Sequence, residues 1–235
     1  LDGSPTLAEL GDPINGADFD RFPTGVVRNS NSWAESTYRL IFGYDFSEES
    51  SGFFGYSRGF KSGGYNDQLG TQLNPITQLA AQPTEPEIAD SLEAGFKASI
   101  FDNRATVSLN AYYVEYTDAQ RTFNVSFPSG GQETLFFNAA ELTVKGVEAE
   151  GVAIISDGLT LHYNVSWMDS EFDKFAADTN FDGIIDVDLS GQPVTRAPDL
   201  MASIDGNYHQ SLASGSLDWN IRVAYEDDSV SSYSD

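Results

Sequence analysis

Paired stretches of two-residue alternation constrain this chain more than any other feature of its sequence. In residues 91–100 apolar side chains at even positions alternate with polar or small ones at odd positions, and residues 105–113 repeat the pattern after a short polar connection. A period of two places successive side chains on opposite faces of a β-strand, and a short polar connection joins two strands as a hairpin. The segment therefore predicts a β-hairpin with one apolar and one polar face.

Three more segments repeat this hairpin pattern, so the sequence predicts eight antiparallel strands. These segments are 38–46 with 53–60, 147–155 with 159–167, and 200–208 with 217–225. Connections within hairpins are short, at 47–51, 101–104, 156–158 and 210–216, and those between hairpins are long, at 62–86, 124–138 and 170–196. Short and long connections then lie at opposite ends, as in membrane-spanning barrels. We expect an all-β fold, an antiparallel up-and-down transmembrane β-barrel wall.

The polar face of the predicted strands carries charged and uncharged polar side chains at mid-strand. They are Glu93, Lys97, Asn110, Glu148, Glu150, His162, Asp218 and Arg222. A charge at mid-strand costs several kcal/mol against lipid or a dry core and little against a watery lumen. We therefore expect this face to line a lumen and the apolar face to contact lipid. Aromatic residues gather near strand ends, where they would lie at the membrane interfaces: Tyr112, Tyr113, Tyr116, Phe136, Phe137 and Trp167. A half-exposed sheet of a soluble protein is the alternative.

Composition excludes several classes of function. The chain has 36 acidic and 12 basic residues, a net charge of −24 and no cysteine. Clustered lysine and arginine for nucleic-acid binding are therefore missing, as are disulfides, thiolate catalysis and cysteine-bound metals. The only imidazoles are His162 and His209, and neither lies in a recognisable nucleophile motif. We expect that the protein is not an enzyme.

Four groups of short motifs follow one another along the chain. They are GYSRGFKSGGYN at 55–66, PEI at 86–88 with SLEAGFK at 91–97, YY at 112–113 with YTDAQ at 116–120, and NAA at 138–140 with GVEAE at 146–150; RAP at 196–198 opens a later strand. In this order they resemble the barrel of TonB-dependent outer-membrane receptors. The resemblance spans residues 33–228, and its specificity lies in the ordered set.

The resemblance implies a fold and a function. Residues 1–235 would be about eight strands of a larger, plugged barrel of about 22 strands, and the family's plug domain, TonB-contacting segment and terminal aromatic strand have no counterpart in this sequence. The implied function is active, TonB-energised uptake of a scarce ligand such as a ferric siderophore across the bacterial outer membrane. The implied partners are outer-membrane lipid, TonB acting through the plug, and a small metal chelate. The long connections would carry specificity, with four aromatic residues as candidate ligand contacts: Tyr65, Phe123, Phe127 and Phe136.

The last long connection contains an acidic loop similar to a calcium-binding loop. Its oxygen ligands would occupy relative positions 1, 3, 5 and 9, with the carbonyl of position 7 and a glycine at position 6. The candidate ligands are Asp178, Asn180, Asp182, Ile184, Asp186 and Asp188. The usual glutamate at position 12 is replaced by Leu189, so an acidic, water-facing loop without an ion is the alternative.

Two other kinds of protein fit parts of the pattern. A complete eight-stranded barrel with a structural or adhesive role would require the first and last strands to pair. A soluble calcium-binding β module would pack its apolar face against a second sheet.

Overall fold

The structure is a computed structural model that describes residues 20–21, 27–28, 30–66, 83–126, 132–177 and 184–233, with the backbone alone at 20–21, 27–28, 123–126, 132–133 and 135. Eight strands dominate: β3 (Tyr38–Asp45), β4 (Ser50–Lys61), β5 (Glu87–Ile100), β6 (Ala105–Ser126), β7 (Gln132–Ser156), β8 (Leu159–Ala177), β10 (Leu200–Leu212) and β11 (Gly215–Glu226). Three two-residue strands complete the set: β1 (Asp20–Arg21), β2 (Val27–Arg28) and β9 (Val187–Asp188). None of the described residues forms a helix long and apolar enough to cross a membrane.

The eight long strands form one antiparallel sheet in the order β11-β10-β8-β7-β6-β5-β4-β3, so each strand pairs with its neighbours in sequence. The predicted eight strands and four hairpins are confirmed. Strands β3 and β11 are the two edges of the sheet and do not pair with each other. A closed eight-stranded barrel is therefore wrong for the described residues, because closure needs that pairing.

The strand register places the predicted apolar positions of the paired strands on one face, and Ile155 falls at a bulge between Ile154 and Ser156. Leu109 of β6, for example, lies opposite Phe96 of β5 and Ala149 of β7. On six strands this apolar band is nine residues long, at 92–100, 105–113, 147–155, 159–167, 200–208 and 217–225. Nine residues run about 30 Å along a strand, or about 23 Å in height at the usual tilt. That height matches the apolar band of membrane-spanning barrels.

The apolar band remains uncovered in the described part of the chain. Its large side chains are exposed, including Val147 at 46% and Ile221 at 66%. Tyr113 and Trp167 lie at one edge of the band, and Tyr208 and Trp219 at the other. Because no second sheet covers these groups, the described residues do not form the packed sandwich of a soluble β module.

Not all the aromatic residues expected at the band edges belong to it. The register places Tyr112 opposite Gly146 and Tyr116 opposite Leu142, on the polar side of the wall. Tyr113, between them in sequence, faces outward. The prediction was wrong for Tyr112 and Tyr116 because alternation sends neighbouring residues to opposite faces.

Strands β6, β7 and β8 continue well beyond the apolar band, at the end of the long connections. The connection predicted at 124–138 contracts to 127–131, and the one at 170–196 begins only after Ala177, whereas the connection 62–86 is as predicted. Past the band, the outward residues become charged, as at Glu115, Lys145 and Asp169. The outward face therefore loses its apolar residues there, and the apolar alternation fades while backbone pairing continues.

A small hydrophobic core lies on the polar side of these extensions. Its buried members are Ala119, Ala140, Leu142, Phe172 and Phe175. The segment 187–194 folds over it, held by hydrogen bonds from the Gly191 N–H to the Phe172 carbonyl and from the Leu189 N–H to the Phe175 carbonyl. This core gives the long-connection end of the wall an internal layer that the membrane-height part lacks.

Candidate functional site

The connection between β4 and β5 begins as a narrow two-armed stem, residues 62–66 and 83–86. The Gly64 N–H donates to Thr84 Oγ1 at 3.0 Å, and the Thr84 N–H donates to the Gly64 carbonyl at 2.8 Å. A side chain at Gly63 would overlap the Thr84 carbonyl and the Trp33 indole ring. Gly63 is therefore required by a close approach of backbone and ring rather than by an unusual φ angle.

Trp33 and Tyr65 form an aromatic pair beside the stem, with ring centroids 6.1 Å apart and planes at 58°. The Trp33 Nε1 and Tyr65 hydroxyl atoms are shielded from solvent and have no hydrogen-bond partner among the residues that the structure describes. Burial raises the pKa of Tyr65, so its hydroxyl stays protonated at neutral pH. The pair presents two hydrogen-bond donors next to aromatic surface, a chemistry suited to an acceptor oxygen on an unsaturated ligand.

The stem does not stand apart from the wall but lies against β6 and β7. Gln120 Nε2 donates to the carbonyls of Ser62 and Glu85, each at 3.0 Å, so that one amide joins both arms. The Phe136 N–H donates to Asn66 Oδ1 at 2.8 Å, and Asn66 Nδ2 donates to the Phe136 carbonyl at 3.1 Å. The structure thereby brings two predicted contacts, Tyr65 and Phe136, into neighbouring segments.

The other two predicted ligand contacts are not brought to this site by the described structure. Phe123 lies in β6 opposite Leu135, and nothing is described of its side chain. Phe127 lies outside the described residues. Phe136 itself lies within a strand rather than in the connection where the sequence placed it.

Arg121 is a basic residue of this region that sequence reasoning missed. Its guanidinium carbon lies 5.8 Å from the centre of the Phe172 ring, its Nη1 donates to the Gln120 carbonyl, and the same atom is 3.8 Å from Glu87 Oε2. Burial lowers the pKa of Arg121, opposed by the Glu87 charge, but an arginine remains cationic at neutral pH. No motif marked it, because its setting depends on a bulge at Ala119 and on the folded stem.

The predicted calcium loop is only partly described. Asp178, Asn180 and Asp182 lie outside the described residues, and Ile184, Asp186 and Asp188 lie within them. Strand β9 pairs with the end of β8, and the Asp188 carboxylate accepts a hydrogen bond from the Ser190 N–H at 3.0 Å, which lowers the pKa of Asp188. Among the described residues no three His, Asp or Glu side chains come together as metal ligands. The calcium site stays a prediction.

The polar face of the wall is concave at the opposite, short-turn end. A cavity of about 1040 Å³ lies between the β3–β4 turn and strands β5 to β8, and is lined by polar-face side chains that include Lys97, Glu150, His162 and Asn164. His162 lies opposite Asp205, whose carboxylate is 3.7 Å from Arg222 Nε. The face that the sequence assigned to a lumen is thus polar and hollow.

Comparison with known proteins gives one sequence-level match and several structural ones. The family model described as TonB dependent receptor-like, beta-barrel matches residues 14–235. Among curated proteins, sequence comparison finds no match.

Several solved structures have a similar fold. The ferric yersiniabactin uptake receptor FyuA from Yersinia pestis has a TM-score of 0.59 at 20% identity, over 79% of this chain and 25% of that one. BauA, the ferric preacinetobactin receptor of Acinetobacter baumannii, has a TM-score of 0.54 at 16% identity, over 81% and 25%. The alcaligin outer-membrane receptor FauA of Bordetella pertussis has a TM-score of 0.54 at 15% identity, over 86% and 31%. The chain thus spans about a quarter to a third of the length of these structures.

Proposed function

The chain belongs to the TonB dependent receptor-like β-barrel family, whose members lie in the bacterial outer membrane, and from that premise we propose that it takes part in the active uptake of a ferric siderophore. The family and the similar structures are receptors and transporters rather than enzymes. The observation that carries the proposal is the two-faced wall: an apolar band about 23 Å high faces outward, and a hollow polar face lies inside.

We propose further that these eight strands are one part of a larger barrel. The open edges at β3 and β11 leave unpaired backbone groups on each side, and unsatisfied backbone polar groups within a bilayer each cost several kcal/mol. Additional strands that pair with both edges would remove that cost. A barrel of about 22 strands encloses a lumen wide enough for a plug domain.

The ligand would bind at the long-connection end of the wall. Tyr65 with Trp33 offers aromatic surface and hydrogen-bond donors, and Phe136 lies on a segment bonded directly to the residue after Tyr65. Arg121 supplies a half-buried positive charge in a chain whose net charge is −24. A ferric chelate with aromatic rings and anionic oxygens fits these groups better than a neutral glycan does, because stacking and cation–oxygen contacts both become available.

Energy for uptake would come from TonB, acting through a plug domain inside the barrel. Ferric siderophores are scarce and far larger than the solutes that diffuse through open pores, so their entry needs both a specific site and an energy source. The polar, concave inner face is suited to a hydrated contact with such a domain.

The test is uptake of radiolabelled iron by cells that express the full-length receptor under iron limitation. Catecholate, hydroxamate and phenolate ferric chelates are supplied separately, and a strain with TonB is compared with one without it. We expect uptake of one chelate class that is lost when either the receptor or TonB is deleted. Uptake of no chelate, with normal receptor levels in the membrane, would reject the siderophore proposal; uptake independent of TonB would reject the energy source.

A further inference from the structure

Three side-chain amides join the β4–β5 stem to the β6–β7 hairpin. We call them the amide clasp: Asn66 on the stem, Gln120 on β6 and Asn138 on β7. Asn66 and Gln120 are only 5% and 8% exposed. Buried side-chain amides in folded proteins form hydrogen bonds in the great majority of cases.

The two asparagines of the clasp bind reciprocally. Asn66, on the stem, pairs with both backbone polar groups of Phe136 on the hairpin. Asn138, on the hairpin, accepts from the Glu85 N–H at 2.7 Å and donates to the Glu85 carbonyl at 2.9 Å on the stem. Each asparagine therefore forms the two backbone hydrogen bonds that a neighbouring strand would otherwise form. One asparagine lies on the stem and the other on the hairpin.

The clasp also reaches the irregular part of β6. Asn138 Nδ2 donates to the Asp118 carbonyl at 2.6 Å, and the Gln120 N–H donates to Glu87 Oε2 at 2.8 Å. Asp118 has a φ of 54° and lies within the bulge between Tyr116 and Ala119. The bulge redirects β6 so that Gln120 meets both arms of the stem, which a regular strand would pass by.

We propose that the amide clasp couples the β4–β5 connection to the β6–β7 connection, so that the bases of the two open and close as one unit. Asn66, Gln120 and Asn138 are then positioning residues. Loss of one amide exposes backbone groups whose partners it supplied and loosens the segment that carries the other amide. Local opening of this kind is measurable, because the protected amides belong to named residues on both segments.

The coupling has a consequence for binding that rests on the proposed function. Tyr65 directly precedes Asn66, and Phe136 is the residue that Asn66 holds. The clasp therefore fixes the separation between two candidate ligand contacts from different connections. A loosened clasp would reduce discrimination between ligands of different shape more than it reduces the stability of the wall.

Hydrogen exchange of the full-length receptor in lipid vesicles, resolved to single amides, tests the coupling without any ligand. In N138A the Glu85 amide loses its acceptor, and we expect its exchange to rise by about tenfold or more. The decisive amide is the Phe136 N–H, which donates to Asn66 Oδ1 and not to Asn138. If the two connections are coupled, N138A raises the exchange of the Phe136 amide by a similar factor. In N66A the Phe136 amide loses its acceptor, and the Glu85 amide reports the coupling.

The matched control is N220A, which removes an exposed amide hydrogen bond to Asn207 at the short-turn end. N220A should change the exchange rate of neither the Glu85 amide nor the Phe136 amide. If each clasp variant changes only its own partner amide, the two connections are independent and the proposal is overturned. Should N138A not insert into the membrane, the Glu85 amide in N66A decides the same question.

Affinity for a ferric catecholate and a ferric hydroxamate, measured on the same variants, tests the consequence for binding. We expect N66A and N138A to reduce the ratio of the two affinities in the same direction, and the double variant to do little more. If the wild-type receptor binds neither of these chelates nor a ferric phenolate, the proposed function fails while the exchange result still stands. If chelates bind and the ratio is unchanged, the clasp has no role in selectivity.

Discussion

An arginine at Leu109 should destabilise the protein because the register places Leu109 at the centre of the apolar band. It is the fifth of nine band residues on β6, so about 11 Å of height separates it from either edge. An arginine at the midplane of a lipid-facing strand costs about 2–4 kcal/mol, and the cost falls to about 0–1 kcal/mol near the interfaces. We therefore expect Leu109→Arg to lower the folding equilibrium constant by about 30- to 900-fold.

Two variants on the same strand provide matched controls. Ala105→Arg places the charge at the band edge and should cost about 0–1 kcal/mol. Ser108→Arg places it one residue away on the polar face, opposite Lys97 and Glu150, where we expect a change within about 1 kcal/mol of zero. The three variants together distinguish the effect of depth in the membrane from the effect of the face on which the charge lies.

The assay is a urea titration of the full-length receptor in lipid vesicles, read by tryptophan fluorescence and extrapolated linearly to water. The reasoning would be refuted if Leu109→Arg were neutral, or if Ser108→Arg were the more damaging change, since that result would place lipid on the polar face. Equal costs at positions 105 and 109 would show that the band has no depth profile and does not cross a bilayer.

Three further outcomes follow from particular residues. Gly151→Ala should destabilise the wall by about 1–3 kcal/mol, because the added Cβ would overlap the Thr106 carbonyl oxygen. Gly59→Ala should be nearly neutral, because the space around Gly59 is open. The same urea titration compares the two variants. Hydrogen bonds from Ser190 lower the pKa of Asp188 in the folded state. Its stabilising contribution is therefore present above the ordinary aspartate pKa and is lost as the pH falls through the lower folded-state value. Amide exchange in 186–190 should rise in acid, and Asp188→Asn should abolish that rise. Calcium, if it binds the loop 178–188, should raise the melting temperature and loop protection, and a titration that changes neither rejects the site.

The sequence predicted the membrane-height wall well because one physical signal determined it. Alternation of apolar and polar residues is enforced where one face meets lipid and the other meets water, and the nine-residue bands repeat it on six strands. That constraint ends at the band edge. Beyond it, residues such as Thr134 and Glu141 are strand residues with no apolar pattern, and the connection at 124–138 was consequently predicted too long.

The candidate site was harder to predict because its parts meet only through irregular backbone. Tyr65 and Phe136 were selected as aromatic residues near connections, and nothing in their spacing indicated that Asn66 would join their segments. Arg121 carried no motif, and its position depends on the bulge after Tyr116. Side-chain amides that bind backbone groups 53 and 70 residues away leave no periodic pattern in a sequence.

The wall and the candidate site differ in how well the sequence predicts them because different interactions stabilise the two parts of the chain. At membrane height the strands are held by backbone pairing and surrounded by lipid, so many apolar side chains serve equally well at each outward position. At the long-connection end lipid no longer surrounds the outward face, and the chain is supported instead by a core of five buried residues, the amide clasp and the half-buried Arg121. Each of those groups depends on specific partners, so single substitutions there should alter the position of the ligand contacts while the wall still assembles. Binding selectivity can therefore change at the clasp without a change in the barrel that carries it.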